Sequence, residues 1–168
     1  MIQNVDLMDA ATKVAEYVKS HETINDFIVE HFDVDELTVY IGDMLHAQIP
    51  RAENTPYIVF YDWEKREGID VEFCAYKCKV AIGIGCGARE EFVETENGAL
   101  VLDAYDVSCK FAQLVIDVIN DRNDKQRPLS SVQMHGPVAI DADGGHWGTI
   151  LECTWRIYQT MGFNQEEF

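Results

Sequence analysis

Between residues 69 and 84 the chain reads IDVEFCAYKCKVAIGI, and from Cys74 onward Tyr76, Cys78, Val80, Ile82 and Ile84 take every second position. Ala75, Lys77, Lys79, Ala81 and Gly83 fall between them. A β-strand points successive side chains to opposite faces. The spacing therefore predicts one long strand over 69–84, with one face in a core and the other partly in water. A strand of this length crosses a whole sheet and commits its neighbours to pairing with it. Cys86 continues the inward parity, and free cysteine behaves as a small apolar residue. Cys74, Cys78 and Cys86 are thus expected in the core, and their spacing is not a zinc-ligand pattern. With Cys109 and Cys153 there are five cysteines, an odd number. No basic, apolar leader precedes them, so reduced thiols in a cytoplasm-like compartment are expected.

Around this strand the remaining elements follow from periodicity. Val5, Met8, Ala11, Ala15 and Val18 recur at helical spacing, with Asp6 and Asp9 where acids favour a helix start. Residues 24–32 fit a short helix or a strand. Residues 37–41, LTVYI, and 57–61, YIVFY, have strand composition, and Pro50 and Pro56 bracket the loop between them. EKREG at 64–68 reads as a charged turn, and Asn97-Gly98 as a tight one. Residues 104–120 form a second amphipathic helix with Tyr105, Cys109, Ala112, Ile116 and Ile119 along one side. Strands are expected over 132–140 and 149–158, the latter with Leu151, Cys153, Trp155 and Ile157 on one face. The fold class is α+β: a mixed, mostly antiparallel sheet packed by two principal helices. The crossing through the second helix leaves room for one parallel pair.

Only one domain is expected, over residues 1–168. No linker, repeat or like-charge block divides the chain, and residues 163–168 read as a loose acidic tail. Composition matters most for what it excludes. Asp and Glu number 30 against 13 Lys and Arg, a net charge of −17. Binding nucleic acid through phosphates requires a basic footprint, and so does docking on anionic lipid. Neither partner is expected. No apolar run approaches a membrane span.

Motifs for chemistry are weak. Gly83-Ile84-Gly85-Cys86-Gly87 is followed by Ala88-Arg89-Glu90-Glu91, which lacks both the GxGxxG fingerprint and the GK[ST] of a phosphate loop. Glycine near a strand end more often marks a bulge or a close backbone approach. The stretch HGPVAIDADGGH offers His135, Asp141, Asp143 and His146 as candidate metal ligands, and Glu152 stands twelfth from Asp141 as in a calcium loop. Position six of that loop is His146, where glycine is required. The competing reading is a hairpin turn, which accounts for the Asp and Gly residues without a ligand. There is no GxSxG nucleophile elbow, and carboxylates are too plentiful for a pair to single itself out. No catalytic, cofactor-binding or metal residues are assigned, no cofactor is expected, and the chain is read as a non-enzyme. Tyr57, Tyr61, Trp63, Trp147, Trp155, Tyr158 and Phe163 are more aromatics than one inward sheet face takes. They fit an interface or a core on both sides of the sheet.

The succession of an N-terminal helix, the proline-bracketed strand in IPRAENTPYIVFYD, a long alternating strand, the helix AYDVSCKFAQLVIDVIND and the closing strand GTILECTWRIYQTMG covers about residues 5–160. This order resembles the tail-terminator or tail-completion (minor tail) proteins of long-tailed bacteriophages and prophages. The resemblance implies a virion structural protein that forms a homo-oligomeric ring, typically of six subunits. Such a ring caps the tail tube, stops its growth and supports head joining. The partners implied are further copies of the chain, tail-tube proteins and head-joining proteins. The place implied is the bacterial cytoplasm and then the virion tail. DNA passes through such a ring without specific binding, and a carboxylate-lined lumen would repel its phosphates. Relative to compact members of that group, the extra length is expected in 24–51 or 87–102. An acidic module that occupies a basic partner is the alternative reading, and a small metal-dependent enzyme the third.

Overall fold

A computed structural model describes residues 6–32, 34–42, 55–67, 73–85, 89–128, 131–135, 139–143 and 146–158. Its elements run α1 (Leu7–Ser20), α2 (Glu22–His31), β1 (Thr38–Ile41), β2 (Pro56–Glu67), β3 (Phe73–Ile84), β4 (Phe92–Glu94), β5 (Leu100–Leu102), α3 (Asp103–Asn120), β6 (Ser131–His135), β7 (Asp141–Asp143) and β8 (His146–Tyr158). The main sheet has six strands in the order β1-β2-β3-β8-β6, with β7 also paired to β8. All its pairings are antiparallel except β1 with β2. The fold is therefore α+β with a mixed, mostly antiparallel sheet. β4 and β5 form a separate two-stranded hairpin.

The alternation read from the sequence sets the core. Tyr76, Cys78, Val80, Ile82 and Ile84 of β3 are all buried, as are Leu151, Cys153 and Trp155 of β8. Against this face lie Val14 and Val18 of α1, Ile24 and Ile28 of α2, and Phe111, Val115 and Ile119 of α3. The Cys74 side chain and Cys86 lie outside the described residues, as do residues 43–54, the tail 163–168 and positions 69–72 of the expected long strand.

One open alternative is settled and three expectations need correction. The ambiguous 24–32 segment is helical, because Ile24, Ile28 and Phe32 recur every fourth residue and all three are buried. A third helix, α2, thus joins the two that pack on the sheet and lies against α1 and α3. EKREG is not a turn as far as Glu67: β2 continues through it, with Glu64 opposite Lys77 and Arg66 opposite Ala75. A register shift between Tyr61 and Glu64 changes the strand's parity there, and Asp62 takes the left-handed φ of 54° that a bulge accommodates. The parallel pair joins β1 to β2 instead of spanning α3. Lastly, β6 ends at His135, short of Ile140, while β8 starts at His146, before Thr149.

Residues 87–102, one of the two places where extra length was expected, contain the β4–β5 hairpin. Its turn is built as Asn97-Gly98 predicts: Gly98 has φ 83°, its N–H donates to the Thr95 carbonyl at 2.9 Å, and Thr95 N–H donates to the Ala99 carbonyl at 2.8 Å. α3 begins where β5 ends and has no capping side chain. Instead, Asp103 N–H donates to the Glu91 carbonyl at 3.0 Å and Ala104 N–H to the Arg89 carbonyl at 2.9 Å. The hairpin thereby satisfies two of the four N–H groups that a helix start leaves open.

Candidate functional site

The register places Asp141, Asp143 and His146 on one hairpin and His135 apart from them. β7 and β8 pair with Asp143 opposite His146 and Asp141 opposite Gly148, so a two-residue connection joins them. This is the hairpin reading of the Asp-Gly-rich stretch; Gly144 and Gly145 themselves lie outside the described residues. His135 pairs with Glu152, six positions along β8 from His146. At the rise of a strand that separates them by about 20 Å, beyond the reach of one metal ion. Glu152 lies inside the 13-residue strand β8, where an EF-hand needs the exiting helix to follow its loop. His146 is buried and meets the Tyr57 ring edge-on at 5.4 Å. Among the described residues no group of three His, Cys, Asp or Glu side chains could hold a metal.

The glycine-rich stretch serves packing where it is described. A Cβ on Gly83 would stand 2.6 Å from Tyr57 Oη and 2.7 Å from the Trp147 carbonyl oxygen. Gly83 is therefore bare so that the Tyr57 ring can lie across the sheet. Gly148, directly opposite, has no more room, since its Cβ would fall on the Ile82 carbonyl and 2.9 Å from Gly83 Cα.

One polar cluster escaped the sequence reading. The Tyr17 hydroxyl at the end of α1 donates to Asp124 Oδ2 at 2.7 Å, and His21 Nε2 stands 3.5 Å from the same oxygen. Asp124 Oδ1 accepts the Gln126 N–H at 2.8 Å. Burial, then the hydrogen bond to Asp124, pushes the Tyr17 hydroxyl well above its ordinary range. The Tyr17 and Gln126 bonds hold the Asp124 carboxyl below its own. Tyrosine thus stays protonated and aspartate ionised, each saturated by the other. A general base needs a pKa near working pH and a proton within reach; this pair has neither, and it clasps the 121–127 loop to α1. The side chains lie 107 residues apart in the chain, so no local motif marks them.

Two of the described cysteines are equally closed. Cys78 and Cys153 are free, buried and directly opposite in the register. Burial pushes the Cys153 thiol far up, the reverse of an activated nucleophile. An open groove of about 700 Å³ between α1, α2 and the 35–36 segment is lined by Glu16, Lys19, Ser20, Asn25, Asp35 and Glu36. Lys19 is already paired with Glu36 across it.

What remains is surface, and the apolar part of it is not where the aromatics pointed. Trp155 is fully buried, Tyr57 nearly so, and Trp63 and Trp147 pack against the core. Tyr57 and Val59 form a small second cluster with Tyr40, Tyr61 and Ala81 on the sheet face away from the helices. The two-sided core accounts for these residues; the Tyr158 side chain and Phe163 lie outside the described residues. Among the described residues Met8, Val29 and Ile150 are exposed singly on α1, α2 and β8, whereas Phe92 (66%), Val93 (55%) and Leu100 (67%) fall together on the hairpin, with Tyr105 just beyond it. An isolated two-stranded hairpin is marginal in water, yet this one is held at its base. Arg89 pairs with Asp103 at 3.1 Å and lies over the Phe32 ring at 5.3 Å. Phe32 in turn packs on Phe111 of α3. The site is thus a braced arm with apolar residues on both of its faces. A scan of protein-family models finds none that matches the chain, and a search of curated proteins finds no matching relative. Among the described residues no helix is long and apolar enough to cross a membrane.

Proposed function

We propose that this chain is a non-enzymatic virion structural protein of a long-tailed phage or prophage, which closes into a homo-oligomeric ring that terminates the tail tube and supports head joining. The observation that carries the reading is the braced hairpin, where Phe92, Val93 and Leu100 stand in water within one short arm. Apolar patches of that kind mark surfaces that meet other proteins. The order of elements between α1 and β8 supports the same reading through its resemblance to tail terminators. Tyr17 and Asp124 are closed on each other in a hydrogen bond of 2.7 Å. In this reading the net charge of −17 keeps DNA from adhering as it passes through the ring.

The test mixes purified protein with tail tubes lacking their terminator and images them by electron microscopy. Density at one end of each tube, with growth arrested, is expected. Bare tube ends at saturating protein would overturn the proposal. A second reading has its own observation, the cluster of Glu16, Asp35 and Glu36 around the open groove. An acidic module that occupies a basic partner would use that side, and substitutions in the hairpin would leave its binding unchanged.

A further inference from the structure

We propose that Cys78 of β3 and Cys153 of β8 form an oxidation site, at which a disulfide closes across two central strands of the main sheet. The two residues are directly opposite in the antiparallel register, and both are free. Opposed positions in such a ladder hold their Cα atoms about 4.5–5.5 Å apart, inside the range of about 4.4–6.8 Å that a disulfide spans. Both side chains belong to the core under the helices, and the two thiols lie within hydrogen-bond reach of each other. No strand has to slip for the bond to form. The neighbouring rows, Val80 with Leu151 and Tyr76 with Trp155, are buried as well, so the pair sits in the middle of the core. The bond would close a loop of about 75 residues. It would tie the β2–β3 half of the sheet to the β8–β6 half.

The step is thiol–disulfide exchange with a low-molecular-weight disulfide such as oxidised glutathione. One cysteine, as its thiolate, attacks a reagent sulfur; the reagent S–S bond breaks and one reagent thiol leaves. The other cysteine then attacks the cysteine sulfur of the mixed disulfide and releases the second reagent thiol. Two protein thiols are oxidised, one reagent disulfide takes up the two electrons, and both protons leave on the reagent thiols. Reducing surroundings keep the dithiol. Cys78 is only 3% exposed and Cys153 1%, and burial holds the Cys153 thiol far up. Exchange is therefore slow in the closed fold and proceeds when the core opens locally. The same shielding protects the finished bond from reductants. The chain thus keeps the redox state in which its core last opened. No part of this step depends on the ring, so it stands apart from the proposed function.

The full chain, incubated with reduced and oxidised glutathione in urea below the unfolding transition, then alkylated and mapped by mass spectrometry, tests the site. Thiols of the monomer should fall from five to three, with Cys78 joined to Cys153, and the rate should rise with urea. Mapping uses the unsubstituted chain, so no variant has to fold. A monomer that keeps all five thiols after unfolding and refolding in the oxidising buffer would overturn the site. So would an intramolecular bond to Cys74, Cys86 or Cys109, or a glutathione adduct that never resolves. The oxidised chain should show an unfolding equilibrium constant about a hundredfold lower than the reduced chain. Dithiothreitol added to the unfolded protein should abolish that difference. Equal stability of the two forms would overturn the bond as a staple of the central strands.

Discussion

Tyr17 shows how much one hydroxyl does here. It is buried at the end of α1 and donates to a carboxylate at 2.7 Å. Tyr17→Phe leaves Asp124 ionised with one partner fewer, and a loss of about 1–2 kcal/mol is expected in urea denaturation. The pH dependence has a definite sign. Asp124 is held below its ordinary value of 3.8, so its contribution is complete above that pH and is lost as pH falls through the lower folded value. Tyr17 is held above its ordinary 10.0, so its contribution is complete below that pH and is lost as pH rises past it. Thermal melts of wild type and Tyr17→Phe should therefore converge as pH falls through the lowered Asp124 value and differ most near neutrality. Gly83 gives a steric counterpart. Gly83→Ala places a methyl group against Tyr57 Oη and the Trp147 carbonyl, and a cost of about 1–3 kcal/mol is expected from such overpacking. Gly148→Ala should cost more in the same denaturation series, because backbone alone opposes its Cβ.

At the scale of elements, the hairpin separates stability from assembly. Among the described residues Val93 is exposed and belongs to neither apolar cluster, so Val93→Asp should change the unfolding free energy by no more than about 0.5 kcal/mol. The same substitution should abolish self-association in sedimentation. A matching fall in melting temperature would mean that Val93 packs within the chain. Which elements the sequence made legible follows from how local their signals are. Period-two alternation at Tyr76, Cys78, Val80, Ile82 and Ile84 needs no partner to be read, and the buried face agreed residue for residue. The extension of β2 through Glu64 and Arg66 was hidden because the shift at Asp62 breaks the alternation, and charged residues past a break look like a turn. The β1–β2 pairing was hidden for another reason: a parallel partner is chosen across a long connection, and no residue in either strand names it. The hairpin was half legible. Asn97-Gly98 marked the turn, but the flanking glutamates concealed that Phe92, Val93 and Leu100 form strands that stand in water.

At the scale of the whole molecule, a net of −17 makes two copies repel at long range. Raising ionic strength from about 0.01 to 0.15 M shortens the screening length from about 30 to 8 Å. The repulsion should fade, so self-association should rise over that interval. Self-association that falls as salt is added, in sedimentation velocity, would contradict this reading. The central claim concerns what the assembled molecule does, and inactivating the gene in its own phage or prophage tests it most directly. Electron micrographs of the resulting particles should show tail tubes of uncontrolled length without heads. Tails of normal length with heads attached would contradict it.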